Sequence, residues 1–313
     1  MKDLIVITGP TAVGKSDLAV KLAKQINGEI ISADSMQVYV GMDIGSAKVT
    51  AEEMDGVPHH LIDILEPTEP FDVTIFKAKA TEAIDDIINR GKTPIICGGT
   101  GFYIQSILYD IDFTDDALDY SIRDKYQKIA GEKGAQYLHE LLKEKDIVSY
   151  EKIPANNVKR VIRALEYFDV TGTPISEHNA TEKSKEMAYN TALFVLTDNR
   201  TALYTRINKR VDKMVDAGLV EEVKALIDKG VTRDMTSMQG IGYREIYDCL
   251  LDNNISLNTA VDAIKQNSRH YAKRQITWYR SREGVTWVDR QNFKNDDEIL
   301  SFMKEELKIK NII

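Results

Sequence analysis

The sequence predicts an α/β protein with a P-loop NTPase-like core, a parallel β-sheet that carries helices on both faces. Short apolar runs rich in β-branched residues alternate with helical patterns, as in parallel sheets. The first run, Leu4-Ile5-Val6-Ile7, leads directly into the glycine-rich loop Gly9–Ser16, and a helical pattern follows it. This order of strand, loop and helix is what a phosphate-binding loop requires.

The predicted core is formed by residues 1–112 and 192–313. Its predicted strands are Leu4–Thr8, Glu29–Ser32, His60–Ile64, Pro94–Cys97 and Ala192–Leu196. Its predicted helices are Val73–Arg90, Thr201–Ala217, Leu219–Lys229, Gly242–Leu251 and Leu257–Arg282. We expect only helices after the fifth strand.

Residues 113–191 are predicted to form a helical insertion domain, because this stretch carries no convincing strand pattern. Helices are expected over Leu118–Lys133, Ala135–Lys145 and Asn157–Val170, with Gly172 ending the third. The polar segment Glu177–Glu186 is expected to be mobile.

Composition favours a cytoplasmic protein. Of the 313 residues, 43% are hydrophobic and 29% charged, and no apolar run approaches the roughly 20 residues of a membrane span. The two cysteines, Cys97 and Cys249, give neither a disulfide framework nor the spacing of a zinc site. The net charge of −8 disfavours a nucleic-acid partner on average, although basic residues cluster locally.

The glycine-rich loop predicts a site for a diphosphate or triphosphate. Its backbone N–H groups and the following helix N-terminus favour phosphate oxygens. Lys15 can reach the terminal phosphates, and the Ser16 hydroxyl can take one position on a Mg²⁺ ion. The expected phosphate ligands are Gly9, Pro10, Thr11, Ala12, Val13, Gly14, Lys15 and Ser16.

Two further loops leave the carboxyl ends of predicted strands, where open α/β sheets bind ligands. Asp34 follows the second strand and can act as a general base, although a turn or helix-cap aspartate explains this position equally well. Thr100 follows Gly98-Gly99, so backbone can approach a ligand closely there; the alternative is a tight turn.

Basic residues cluster on three predicted helices. They are Lys265, Arg269, Lys273 and Arg280; Lys159, Arg160 and Arg163; and Arg206, Lys209, Arg210 and Lys213. A solvated helix face is one explanation. Three clusters in an acidic chain favour a phosphate-rich partner instead, meaning a folded RNA.

The motifs taken together resemble the tRNA dimethylallyltransferase family, also called tRNA isopentenyltransferases. The resemblance spans nearly the whole chain and rests on Gly9–Ser16, Asp34-Ser-Met-Gln-Val-Tyr39, Gly41-Met-Asp-Ile-Gly-Ser-Ala-Lys48, Pro58-His-His-Leu-Ile-Asp63, Gly98-Gly-Thr-Gly-Phe-Tyr103, Arg160-Val-Ile-Arg-Ala-Leu-Glu166, Gly240-Ile-Gly-Tyr-Arg244 and Lys273-Arg-Gln-Ile-Thr-Trp-Tyr-Arg280. The chain ends at Ile313 without the zinc-finger extension of eukaryotic members, so the bacterial type is expected.

The resemblance implies transfer of a dimethylallyl group from dimethylallyl diphosphate to N6 of the adenine just 3′ of the tRNA anticodon. Lys15, Thr100, a Mg²⁺ on Ser16 and an arginine would neutralise the leaving diphosphate. Arg206 is the first candidate for that arginine and Arg210 the second. Asp34 would accept a proton from the adenine amine.

The resemblance also implies contacts with the anticodon stem-loop. The expected residues are Asp34, Ser35, Met36, Gln37, Thr100, Arg123, Lys159, Arg160, Val161, Ile162, Arg163, Gln239, Gly242, Tyr243, Arg244, Lys273, Arg274, Gln275, Trp278 and Arg280. A monomer without zinc and without a membrane partner is expected.

Two other functions share some of these features. A small-molecule or nucleotide kinase would use the same loop and Mg²⁺, but it leaves the basic residues of the last long helix without a role. A non-catalytic, nucleotide-switched RNA-binding protein would need an acidic sensor strand, for which the sequence gives no clear signal.

Overall fold

The computed structural model of this chain describes residues 1–113 and 120–313. The chain divides into two compact units. The first contains Met1–Leu108 and Met187–Ile313, and the second contains Tyr109–Glu186. Their assignment to catalysis and to tRNA contact stays a prediction.

A six-stranded parallel sheet forms the centre of the first unit in the described residues. Its strands are β1 (Asp3–Thr8), β2 (Gly28–Ala33), β3 (His59–His60), β4 (Thr93–Gly98), β5 (Asn190–Thr197) and β6 (Val285–Asp289). Their spatial order is β3-β2-β4-β1-β5-β6. The predicted parallel α/β fold is therefore confirmed.

The helices alternate with the strands in the first unit and make up most of the second. In chain order they are α1 (Lys15–Ile26), α2 (Ala51–Met54), α3 (Val73–Asn89), α4 (Gly101–Leu108), α5 (Tyr120–Lys145), α6 (Ile147–Lys152), α7 (Val158–Thr171), α8 (Ile175–Lys183), α9 (Arg200–Asp216), α10 (Leu219–Asp228), α11 (Tyr243–Leu251), α12 (Leu257–Arg280) and α13 (Asp296–Ile309). Single 3₁₀ turns lie at Ser237–Gln239 and Arg290–Asn292.

The sheet is covered on both faces. Successive side chains of a strand point to opposite faces, and the four consecutive residues Leu4 to Ile7 of β1 are all 0% exposed. On one face, Ile5 and Ile7 join a core that includes Leu22 of α1 and Met303 of α13. Near-continuous burial explains why these strands read as unbroken apolar runs rather than as alternating ones.

Two predictions for the sheet were wrong. The predicted strand His60–Ile64 shares only His60 with β3, because Leu61 and Asp63 turn the chain with φ of 63° and 52°. Strand β6 was not expected at all. It pairs with β5 at the edge of the sheet, and only Val288 of its five residues is buried, so its sequence lacks the apolar run of a central strand.

The second unit packs α5 and α7 around Tyr126, Leu138, Leu142, Val161 and Leu165. Helix α5 is interrupted at Gly134, which has φ 84° and ψ 165°. This is where the sequence predicted one helix to end and the next to begin. The predicted start at Leu118 lies outside the described residues.

The segment Glu177–Glu186, expected to be mobile, is largely helical, because α8 runs through it to Lys183. Asp146 fixes the first turn of α8. Its carboxylate accepts hydrogen bonds from the Ser176 amide at 3.0 Å and from the Ser176 hydroxyl at 2.6 Å. This partner lies 30 residues earlier, so no local pattern in α8 indicates it.

Among the helices of the described residues, none is long and apolar enough to cross a membrane.

A buried carboxylate joins the amino-terminal ends of β2 and β4. The Glu29 side chain is 2% exposed and accepts hydrogen bonds from Arg90 at 2.5 and 2.7 Å and from Lys92 at 2.7 Å, with His60 Nε2 also at 2.7 Å. These bonds, the Arg90 pair first, outweigh burial and hold the pKa of the Glu29 carboxyl well below its usual range.

We therefore expect Glu29→Gln to lower the free energy of unfolding at pH 7 by about 2 kcal/mol, as for a lost charge-assisted hydrogen bond. Because the folded-state pKa is lowered, the stabilisation is complete above the unfolded value of about 4.3 and is lost as pH falls toward the folded value. In urea unfolding, the difference in free energy of unfolding between variant and parent should be smaller at pH 3.5 than at pH 7.

The control is Glu305→Gln, which removes an exposed carboxylate. It should change stability little at either pH. A difference for Glu29→Gln that stays the same between pH 7 and pH 3.5 would contradict this assignment.

Candidate active site

The loop between β1 and α1 has the backbone geometry of a phosphate cradle. Gly9 has φ 138°, and a Cβ added there would lie 2.4 Å from the carbonyl oxygen of Leu196 in β5. Gly14 has φ 87° and occupies the N-cap position of α1, where it has no side chain to offer the first N–H groups. Those N–H groups are therefore free to bind an anion.

Lys15 is folded back over this loop. Its Nζ donates to the carbonyl oxygen of Pro10 at 2.8 Å. Desolvation by burial lowers the pKa of Lys15 to about 8, and Arg210 contributes in the same direction against the opposing effects of Cys97 and Asp34. The adjacent Ser16 is exposed at the start of α1. The roles of both residues toward phosphate and Mg²⁺ stay predictions.

A cavity of about 680 Å³ lies where the loops after β1, β2 and β4 meet. The sequence predicted this convergence from the shared carboxyl edge of the strands. The lining includes Thr11, Asp34, Ser35, Met36, Gly45, Ser46, Thr100, Tyr103, Ile207, Arg210, Val211, Met214, Thr236, Gln239, Gly240, Ile241, Arg244, Ile264, Asn267, Ser268, Tyr271 and Arg274.

Asp34 fits both interpretations of its position. Its Oδ1 accepts hydrogen bonds from the amides of Met36 at 2.9 Å and Gln37 at 3.4 Å, as a turn aspartate does. Within residues 1–113 and 120–313, its Oδ2 makes no hydrogen bond. The turn therefore orients the carboxylate, and the second oxygen stays available in a half-buried residue that lines the cavity.

The three residues after Asp34 separate into two groups. Ser35 and Met36 line the cavity. Gln37 is instead occupied by its own loops, since its Nε2 donates to Ala47 at 3.2 Å and its Oε1 accepts from Ser32 at 3.3 Å. A contact between Gln37 and a substrate would have to break these bonds.

The two candidate arginines lie on α9, one helical turn apart. Arg206 donates from Nε to the Ala12 carbonyl at 3.0 Å and from Nη2 to Asp198 at 2.7 Å. Arg206 is not among the described residues that line the cavity. Arg210 lines the cavity and donates to Thr11 Oγ1 and to the Ser46 carbonyl, both at 3.3 Å.

This geometry favours Arg210 over Arg206, the reverse of the sequence expectation. Burial lowers the pKa of the Arg210 guanidinium, and the carboxylate of Asp34 opposes that shift. The Arg210 guanidinium is thus desolvated close to Asp34, the one carboxylate among the described residues that line the cavity. Residues four apart share a helix face, so their spacing alone could not separate them.

Helix α12 docks on the loops through side chains spaced four residues apart. Tyr271 donates to the Gly99 carbonyl at 3.5 Å, and Gln275 donates to the same oxygen at 2.9 Å. The Tyr279 hydroxyl lies 2.9 Å from Thr8 Oγ1. Burial raises the pKa of Tyr271 to about 12, so this hydroxyl keeps its proton.

Several residues expected to contact tRNA are structural instead. Gln275 is 5% exposed, and Tyr243 is 0% exposed with its hydroxyl donating to Glu222 at 2.7 Å. Gly242 is buried at the start of α11. The half-buried Trp278 lies against Gly101, where an added Cβ would be 2.6 Å from its ring.

Other predicted tRNA-contacting residues are accessible. Gln239, Arg244 and Arg274 line the cavity, and Lys273 and Arg280 are exposed on α12. Two members of the predicted basic stripe have protein partners, since Lys265 pairs with Asp212 at 2.5 Å and Arg269 donates to Asn208 at 2.6 Å. Helix α12 uses that part of its surface to pack on α9.

The basic motif of the second unit is also divided. Lys159 and Arg160 are exposed, whereas Val161 and Ile162 are buried in the core of that unit, so those two are packing residues rather than RNA contacts. Arg123 donates to the buried Glu166 at 2.9 Å, and Arg163 Nη1 lies 3.5 Å from the same carboxylate.

One feature that shapes the cavity wall is not predicted by the sequence. The amides of Asp43, Ile44 and Gly45 donate to the carboxylate of Glu222 at 2.9, 2.8 and 3.0 Å. These three hydrogen bonds hold the segment just before Ser46, whose carbonyl accepts a hydrogen bond from Arg210. The pattern Gly41-Met-Asp-Ile-Gly-Ser-Ala-Lys48 was visible, but its partner lies about 180 residues away.

The fold and the site define a class: P-loop α/β proteins in which a threonine of the loop, a desolvated arginine and a carboxylate line one cavity. Residues 37–282 match the model of the IPP transferase family. The chain is 51% identical to the tRNA dimethylallyltransferase of Lachnoclostridium phytofermentans over 100% of both chains, and 52% identical to that of Bacillus cereus over 98% of this chain and 96% of the relative. The chain therefore belongs to the IPP transferase family.

Solved structures agree. The chain is 46% identical to the tRNA isopentenylpyrophosphate transferase of Bacillus halodurans, with a TM-score of 0.74 and coverage of 99% of this chain and 98% of that one. A eukaryotic dimethylallyltransferase acting on tRNA is 29% identical, with a TM-score of 0.84 and coverage of 99% and 80%. These relatives do not favour the kinase alternative.

The lowered pKa of Lys15 can be measured directly. After reductive ¹³C-methylation, the NMR signal that is missing from Lys15→Arg should titrate with a midpoint near pH 8, because burial disfavours the ammonium form. A Lys15 midpoint above pH 10 would contradict the prediction.

Proposed function

We propose that this chain transfers a dimethylallyl group from dimethylallyl diphosphate to N6 of the adenine 3′-adjacent to the tRNA anticodon, with release of diphosphate. One observation carries the proposal: a single cavity brings Asp34 together with Thr11 of the phosphate loop, Thr100 and Arg210. A nucleophile and a diphosphate leaving group can therefore be held in one enclosure. The relatives named above support this reaction.

The diphosphate occupies the cradle formed by Gly9–Ser16. The N–H groups at the start of α1 and the Lys15 ammonium neutralise its charge, and Arg210 and Thr100 reach it from the cavity wall. Because negative charge grows on the diphosphate as the C–O bond breaks, these fixed donors stabilise the transition state more than the bound substrate.

Mg²⁺ fits this site through oxygen ligands. Ser16 offers an exposed hydroxyl beside the cradle, and the described residues contain no group of three His, Cys, Asp or Glu that could hold a metal ion. Mg²⁺ prefers oxygen ligands and keeps several of its waters, so the Ser16 hydroxyl, the phosphate oxygens of the substrate and water would hold it here. When bound, Mg²⁺ would offset the charge of the diphosphate.

Asp34 acts on the nucleophile. The lone pair of an adenine N6 is delocalised into the ring, so the amine attacks poorly unless a proton is drawn from it. Asp34 Oδ2 accepts that proton as the C–N bond forms and the C–O bond to the diphosphate breaks. The hydrogen bonds from Met36 and Gln37 to Oδ1 keep the carboxylate aimed.

The apolar part of the cavity wall receives the dimethylallyl group. It includes Tyr103, Ile207, Val211, Met214 and Ile264. These side chains exclude water from the allylic carbon, which protects it from hydrolysis.

The tRNA is held by cations at the surface. In the first unit these are the exposed Lys273, Arg274 and Arg280 and the half-buried Arg244. In the second unit they are the exposed Lys159 and Arg160, with Arg123 and Arg163 shared with Glu166. The target adenine leaves its stack to enter the cavity, at a cost of a few kcal/mol that backbone contacts offset. The enzyme acts in the cytoplasm as a monomer.

The reaction itself is tested with Mg²⁺, labelled dimethylallyl diphosphate and unmodified total tRNA, beside a parallel incubation with ATP. Label in acid-precipitable RNA is expected. ATP turnover without transfer would support a kinase instead.

Asp34→Asn should lower the rate of prenyl transfer at least about 100-fold, because the variant lacks the proton acceptor. The affinity for tRNA should stay within a few fold, measured by filter binding. Asp262→Asn removes an exposed carboxylate on α12 and serves as the matched control. A large loss of tRNA affinity in Asp34→Asn would recast this residue as structural.

Arg210→Gln should raise the KM for dimethylallyl diphosphate about 10- to 100-fold, since a charge-assisted hydrogen bond to the diphosphate is lost. Arg206→Gln should have the smaller effect, because Arg206 bonds to Ala12 and Asp198 instead. Steady-state kinetics at saturating tRNA compare the two variants. The opposite ranking would restore Arg206 as the diphosphate ligand.

A further inference from the structure

Gln275 connects two loops that are far apart in sequence. Its Oε1 accepts a hydrogen bond from the Thr11 amide at 2.9 Å, and its Nε2 donates to the Gly99 carbonyl at 2.9 Å. The side chain is 5% exposed. The two polar atoms of its amide therefore bond to backbone groups. The oxygen bonds to the loop that contains Thr11, and the nitrogen bonds to the loop that contains Gly99.

The loop that contains Gly99 packs directly against the Gln275 amide. A Cβ added at Gly99 would lie 2.2 Å from Gln275 Nε2. Gly99 has an ordinary backbone conformation, so the need for glycine there arises from this contact rather than from φ. The loop backbone rests directly on the Gln275 side chain.

The two loops carry cavity residues on either side of this bridge. Thr11 is bonded at its amide by Gln275 and lies 3.3 Å from Arg210 Nη1 at its hydroxyl. Thr100 follows Gly99 directly and lines the same cavity. A change in the bridge would shift Thr11 and Thr100 relative to each other.

We propose that Gln275 is a positioning residue that sets the separation between the phosphate loop and Thr100, so that both engage one diphosphate. Gln275 does not touch the substrate; it acts through the Thr11 amide and the Gly99 carbonyl. The proposal rests on the proposed function for the identity of the ligand. It assigns to Gln275 a role other than the tRNA contact expected from the sequence.

The test uses Gln275→Met, which keeps the volume of the side chain and removes both hydrogen bonds. The dissociation constant for inorganic pyrophosphate with Mg²⁺, measured by calorimetry, should rise about tenfold. The KM for dimethylallyl diphosphate should rise by a similar factor and kcat should fall, whereas tRNA affinity should stay within about twofold. Gln266→Met, on an exposed position of the same helix, is the matched control and should change none of these values.

Gly99→Ala is the second variant. It leaves α12 unchanged but displaces the Gln275 amide, so it should reproduce the weaker pyrophosphate binding of Gln275→Met. A melting temperature that falls while pyrophosphate affinity and kcat are retained would show a purely structural role and overturn the proposal. Unchanged pyrophosphate affinity in both variants would overturn it as well.

The two proposals fail differently. If the parent protein binds pyrophosphate and Gln275→Met weakens that binding, the positioning role is supported even where no prenyl group reaches tRNA. If the parent transfers the prenyl group and Gln275→Met matches it in every constant, the function stands and the positioning role falls.

Discussion

The carboxyl edge of the sheet is built from loops rich in glycine, and their shape depends on helix α12. Backbone can approach backbone closely at Gly9 and Gly98, where an added Cβ would lie 2.4 and 2.3 Å from carbonyl oxygens. Such loops have few side chains to fix their own conformation. Tyr271, Gln275 and Tyr279 of α12 supply hydrogen bonds from outside, so the cradle depends on a helix that begins about 250 residues later.

The same arrangement concentrates charge in a desolvated place. Lys15 and Arg210 both have pKa values lowered by burial, and Asp34 opposes both shifts. In such surroundings a charge interacts more strongly with its neighbours than it does in water. Two desolvated cations favour a neighbouring negative charge, which the proposed diphosphate ligand would supply.

The sequence predicted the main elements of the fold for identifiable reasons. Strands β1, β4 and β5 are buried on both faces and contain continuous apolar runs, and β2 is buried with Ile30 and Ile31 at its centre. Strand β6 is a half-exposed edge strand, and α8 depends on Asp146, so neither had a local signal strong enough to be found. In the site, the phosphate-binding roles of Lys15 and Ser16 follow from a local backbone motif and stay predictions. Gln275, Tyr243, Val161 and Ile162 share motifs with accessible cations, and only burial distinguishes them.

By itself the sequence determined the phosphate-loop motif, four of the parallel strands and the motifs of the family resemblance, because each motif and each apolar run lies within one short segment. Among the described residues, the tertiary structure decided which arginine lines the cavity and which polar side chains of α12 are buried. These depend on contacts between segments far apart in sequence, such as that of Thr8 with Tyr279, which are 271 residues apart. Local sequence patterns do not predict such long-range contacts, so only the folded chain shows them.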